Sequence, residues 1–165
     1  MTTVDDIRTL LDASRLALLH AIEGLTDREF ASDVAPGLTV LGALAGLAPV
    51  EREAVERARA TAGLAARPRP AAAGPVLTRT VPPQVIHDLA GARHETLTFL
   101  DQLPVGPLPA AIGDDAPEAL LLAIAQREHA VALQVAAVPR AAGASGGSGG
   151  SGGPSNGDSG LTILT

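Results

Sequence analysis

A chain of 165 residues, 46% hydrophobic and carrying a formal net charge of −6, is long enough to bury one sizeable core. Its acidic balance and 1% aromatic content, supplied by Phe30 and Phe99 alone, argue against nucleic acid as a partner, because no basic surface tracks phosphates and no rings stack on bases. There is no cysteine, which excludes disulfides and thiolate chemistry, and no run of about 18 uncharged apolar residues, so no membrane span is expected.

With so few rings, the core must be Leu, Val, Ile and Ala, a composition that favours helix over strand. The opening stretch MTTVDDIRTLL lacks the positive segment and long apolar run of a signal peptide, so a cytoplasmic location is expected. Thr3 with Asp6 three residues on reads as a capping box. Behind it Ile7, Leu10, Leu11, Ser14, Leu18, Ala21, Ile22 and Leu25 recur at helical spacing, and Gly24 offers an end. SDVAPGLT reads as a loop, and Thr39 caps a second helix over residues 40–64. Pro49 lies within that helix and predicts a kink or restart. After it come Glu51, Arg52, Glu53, Glu56, Arg57 and Arg59, a run expected to form a solvated face, with Glu53 and Arg57 an i,i+4 pair.

Residues 67–83, RPRPAAAGPVLTRTVPP, form a Pro-rich crossing long enough to travel the length of a bundle. A third helix begins at Pro82 or Pro83 and runs to about Leu103, burying Ile86, Leu89, Ala92, Thr96, Phe99, Leu100 and Leu103. Asp115 with Glu118 is spaced as a capping box for a fourth helix, which is apolar nearly all round and is expected to lie centrally. Strand-like alternation is absent. The pattern predicts an all-α four-helix bundle over residues 1–140, with a long crossover between its second and third helices. Residues 141–160 follow as a flexible Gly/Ser-rich linker, and 161–165 as a short apolar segment.

The stretch APGLTVLGALAGLAPVERE resembles the second-helix segment of the DinB/YfiT-like bundles, and AIAQREHAVALQ resembles their His-x-x-x-His segment. The likeness covers about residues 5–138 and implies that fold. It also implies a divalent metal held by one histidine on the second helix and two on the fourth. Carried over position by position, those ligands fall on Gly46, Ala125 and His129, and the aromatic expected before the second helix is Leu38. Only His129 retains an imidazole, and one imidazole does not hold a divalent ion, so the site reads as degenerate and no cofactor is expected. Nickel or zinc enters only if a site has been rearranged around His129 with Glu128 or another substitute. In that case the resemblance implies a metal-dependent hydrolase or thiol S-transferase.

His129 shares its expected face with Leu121 or Leu122, Ala125, Ala132 and Ala136, pointing into the bundle, where a lone imidazole is more often a bonded core residue than a ligand. His87 and His94 lie on a polar stripe, and His20 stands off the apolar one. The small residues Gly42, Ala43, Ala45, Gly46 and Ala48 face Ala125 and Ala132, which either lets two helices pack closely or leaves a hollow. Gly42, Gly46, Ala125 and His129 are the candidates for lining such a pocket. No catalytic residue is assigned. The carboxylate pairs Asp5/Asp6 and Asp114/Asp115 are explained by helix starts, and Ser14 on the inner face has no evident base.

The linker SGGSGGSGGPSNGDSG buries too little apolar surface to offset its ordering entropy. It ends in Leu161, Thr162, Ile163 and Leu164, strand formers that suit a sheet edge or an apolar groove. DSGLTILT resembles the C-terminal loading peptides of encapsulin cargo proteins, with Leu161, Thr162 and Ile163 matching and the usual Gly-Ser-Leu replaced. That resemblance implies a shell protein as partner and residence inside a protein compartment. An engineered or inert tail is the other reading of Gly-Gly-Ser repeats. A homodimer through the bundle is left open.

Overall fold

The computed structural model describes residues 2–65, 81–104, 106, 108 and 116–140. Helix α1, Val4–Ile22, starts where Thr3 accepts the Asp6 N–H and the Asp6 carboxylate takes the Thr3 N–H at 2.9 Å, the capping box expected from the spacing. A short α2, Asp27–Phe30, follows behind a second capping box, Thr26 with Glu29. Next comes an antiparallel ribbon of β1, Asp33–Ala35, and β2, Leu38–Thr39. This corrects the expected plain loop. Pro36-Gly37 supplies a tight reversal, with Gly37 at φ +74° where a side chain would be strained, and the Val40 N–H closes the ribbon on the Ser32 carbonyl at 2.9 Å.

Thr39 then caps α3, Val40–Ala45, and α4, Leu47–Thr61, takes over at Gly46. The break falls one turn ahead of Pro49. An uninterrupted helix would need an N–H from Pro49 to the Ala45 carbonyl, whereas a new start at Leu47 places proline in a first turn, where no such bond is required. Helix α5 spans Pro82–Leu100, with prolines at its start, and α6 spans Pro117–Ala136. Helix α5 stops three residues short of the expected Leu103, which is nevertheless buried. Ala116 stands at the start of α6 without a side-chain cap; Asp115, expected there, lies outside the described residues.

The chain is mostly helical, and α1, α4, α5 and α6 surround two apolar cores stacked end to end. One contains Leu18, Ile22, Val40, Leu44, Val85, Leu89, Val131 and Val135; the other contains Ile7, Leu11, Val55, Ala58, Phe99, Leu100, Leu121 and Ile124. Reading each helix against these cores gives its direction. Helices α1 and α6 run parallel from the second core to the first, and α4 and α5 run the opposite way. The Thr2 hydroxyl bonded to Glu118 ties together the starts of α1 and α6, and Arg8 Nη2 at 2.8 Å from Asp101 ties the start of α1 to the end of α5. Helix α6 packs on α1 and α4, while α5 packs on α4 and more lightly on α1. The end of α4 and the start of α5 therefore lie at opposite ends of the bundle. Whatever joins them has to cover its length, as read from the sequence; residues 66–80 lie outside the described residues.

Three expectations about faces are corrected. Ile86 is exposed, and Val85 and Arg93 take inner positions beside Leu89 and Ala92. Helix α6 is not enclosed, since Leu133 is 60% exposed; with two neighbours, a helix keeps an outer face whatever its composition. Glu51 and Arg59, read as part of a solvated run, are buried.

Candidate functional site: a buried ring of charge

Each of the four long helices places one charged residue at the level between the two apolar cores: Arg15 on α1, Glu51 on α4, Arg93 on α5 and Glu128 on α6. Each follows the helical period of the apolar residues around it, so it points inward by the same geometry that buries Leu11, Val55, Leu89 and Ile124.

The four close into a ring of alternating sign. Arg15 Nη2 lies 2.9 Å from Glu51 Oε2, and Arg93 Nε 3.2 Å from Glu51 Oε1. Arg93 Nη2 lies 2.6 Å from Glu128 Oε2, and Arg15 Nε 2.6 Å from Glu128 Oε1. Every charge thus meets two of opposite sign, and the ring is neutral. The Thr96 hydroxyl donates to Glu51 Oε1 at 2.7 Å, and the Ser14 hydroxyl reaches Glu128 Oε2 at 2.6 Å. Two approaches rest on proximity of charge more than on alignment: the Nε groups of Arg15 and Arg93 make no well-directed hydrogen bond, and Arg93 Nη1 is buried without a hydrogen-bond partner among the described residues.

Taking ions out of water costs several kcal/mol each, and only close pairing offsets it. The two pKa shifts carry that cost. Burial pushes the Glu51 carboxyl above its ordinary 4.5, against the opposing pull of Arg93, the Thr96 hydroxyl and Arg15. Burial likewise lowers Arg15, chiefly against the attraction of Glu128. Beside the ring is a cavity of about 10 Å³, lined by Leu47, Val50, Glu51, Ile124, Arg127 and Glu128, room for one water.

The residues singled out from the sequence do not come together here. Gly42 is exposed, its N–H donating to the Thr39 cap at 3.1 Å, and Gly46 is exposed at the helix break. Ala125 is half-buried against the second core. His129 is exposed, which corrects its expected inward face. The buried stripe of α6 is Leu120, Leu121, Ile124, Glu128, Val131, Ala132 and Val135, and the neighbouring position is turned about 100° away. His20, His87 and His94 are exposed as well.

The metal implied by the resemblance does not fit these residues. Gly46 and Ala125 have no ligating atom, and among the described residues no three His, Cys, Asp or Glu are placed to hold an ion. Both central carboxylates are already engaged by two guanidinium groups. From sequence, Glu128 reads only as a substitute ligand and Glu51 as part of a solvated run, while Arg15 and Arg93 carry no motif. Two positive and two negative residues, one per helix, fall in register with apolar neighbours, a pattern that becomes a signal only once the inward face of each helix is known.

Comparison with protein families, with curated proteins and with solved structures finds no match for this chain. Among the described residues no helix is long and apolar enough to cross a membrane.

Proposed function

We propose that this chain is a non-catalytic or weakly active helical binding module of DinB-like architecture, a four-helix bundle without the three-histidine metal site of that type and with a neutral ion ring in its interior. We further propose that Leu161–Leu164, carried on the Gly/Ser-rich linker, dock on a protein partner of the encapsulin-shell kind. The observation that supports the first part is the pairing of both Glu51 and Glu128 with Arg15 and Arg93, which leaves neither carboxylate open to a metal or a substrate. Glu51 stands five residues after Gly46 on the same helical stretch and is used for pairing. The second part is supported by residues 161–164 themselves, which lie outside the described residues.

Titration with nickel and zinc, followed calorimetrically, tests the first part: no stoichiometric binding is expected. Tight binding abolished by His129→Ala would defeat this reading in favour of a metal centre rearranged around His129, the arrangement a hydrolase or thiol S-transferase of that type would need. A pull-down comparing the full chain with one ending at Gly160 tests the second. The full chain should retain a shell protein that the shortened chain loses, and identical partner lists would remove the docking role.

A further inference from the structure

At the end of the bundle where α1 and α6 finish, an open cleft of about 520 Å³ lies between α2, the start of α3 and the first turn of α5. Its walls include Phe30, Leu41, Val81, Pro82 and Pro83, with Asp27 and Thr39 as polar groups. The volume is that of a ligand cleft. Large apolar side chains remain uncovered at this end, Val81 and Leu38 each 40% exposed and Ile86 38%.

We infer that this cleft is the resting place of the chain's own Leu161–Leu164 segment. The exit of α6 carries the argument. Val138 belongs to the same apolar core as Phe30, and Arg140 donates to the carbonyls of Ala21 at 2.8 Å and Glu23 at 2.7 Å, at the end of α1. From Glu23 to Asp27 on the cleft, four residues reach at most about 14 Å. The chain therefore leaves the described structure at the same end of the bundle as the cleft. For a Gly/Ser-rich sequence of the length of residues 141–160, random-coil statistics give an r.m.s. span of about 25 Å, enough to bring residue 161 back to the cleft. Such a tether holds the segment at an effective concentration in the millimolar range, so even weak apolar contacts populate the docked form.

The chemistry agrees. Leu161, Ile163 and Leu164 are uncharged aliphatics suited to walls of Phe, Leu, Val and Pro, and the Asp27 carboxylate can accept backbone N–H groups from an extended strand. Docking in this cleft covers the same side chains that the proposed partner would take, so the bundle competes with the partner for its own tail. This inference rests on the reading of residues 161–164 as a docking segment.

The chain has no native cysteine, which allows a clean trapping experiment. Ala31, exposed on the cleft, is changed to cysteine in the full chain together with Ile163→Cys, or with Gly150→Cys as a linker control. The Ala31/Ile163 pair is expected to oxidise to a monomeric disulfide at least about tenfold faster than the control pair, at a rate independent of protein concentration. Val81→Glu should abolish that advantage. Equal rates for the two pairs would overturn the inference, as would a product made only of dimers, which would place a second copy's tail in the cleft. The pull-down reads the partner separately: identical partner lists with fast trapping leave self-docking standing, and a lost shell partner with slow trapping does the reverse.

Discussion

Glu128 Oε2 on α6 lies 2.6 Å from Arg93 Nη2 on α5, with Glu128 only 1% exposed, and these two helices are otherwise on opposite sides of the bundle. The pair reaches across the interior at the level where the two apolar cores meet. It is one of two diagonal members of the ring; the other, Arg15 Nη2 to Glu51 Oε2 at 2.9 Å, joins α1 and α4.

Removing one member of that ring leaves uncompensated charge in the interior. Glu128→Gln is expected to destabilise the protein by roughly 3–5 kcal/mol, because Arg15 and Arg93 are left with Glu51 alone. The adjacent His129→Ala is expected to change stability by less than about 0.5 kcal/mol, since that side chain is exposed. Urea unfolding of the two variants checks the contrast.

Replacing the ring as a whole should behave differently. The variant carrying Arg15→Met, Glu51→Leu, Arg93→Met and Glu128→Leu is expected to be as stable as the parent or up to about 4 kcal/mol more so, because the desolvation cost disappears together with the pairing. Thermal unfolding measures it. A large loss of stability would mean that the ring's mutual attraction outweighs its burial.

The raised pKa of Glu51 fixes the sign of one pH effect. A carboxyl that binds its proton more readily folded than unfolded makes the folded state more favourable as pH falls toward the ordinary value of 4.5, and less so as pH rises through the raised one. The stability of the parent relative to Glu51→Gln is therefore expected to increase as the pH is lowered from neutral to about 4.5, and to level off below. Denaturant unfolding of both proteins across that window gives the slope; the opposite slope would show that the pull of Arg93, Thr96 and Arg15 outweighs burial.

Gly46 sits at the junction of α3 and α4 with φ −74° and ψ −16°, an ordinary helical conformation. An added Cβ would meet the Ala43 carbonyl at 3.5 Å and the Gly42 carbonyl at 3.6 Å, normal contact. Gly46→Ala is therefore expected to stabilise by about 0.4–1 kcal/mol through the unfolded chain, with no change in metal binding. A calorimetric midpoint comparison is sufficient.

Much of the helical layout was legible because it depends on local rules. Thr3–Asp6 closed its capping box, Thr39 capped the next helix, and the prolines at 82 and 83 opened α5. Thr26-Asp-Arg-Glu29 carries the same signature, and a one-turn helix is written there as plainly as the first. The candidate site was far less legible. On α6 both the Ala125/His129 stripe and the Ile124/Glu128 stripe offer a helical period, and nothing in a nearly all-apolar helix says which one faces in. A buried charge looks like a surface charge until its partners are known.

Composition, helical period and caps by themselves determined a mostly helical chain built from Leu, Val, Ile and Ala, and they placed its long helices to within a few residues. Tertiary structure alone decided which face of each helix turns inward, and so that Glu128 rather than His129 enters the core. The physical reason is that a charge is tolerated inside only when opposite charges arrive from other helices. Arg15, Glu51, Arg93 and Glu128 are far apart along the chain and become one neutral group only when four helices meet.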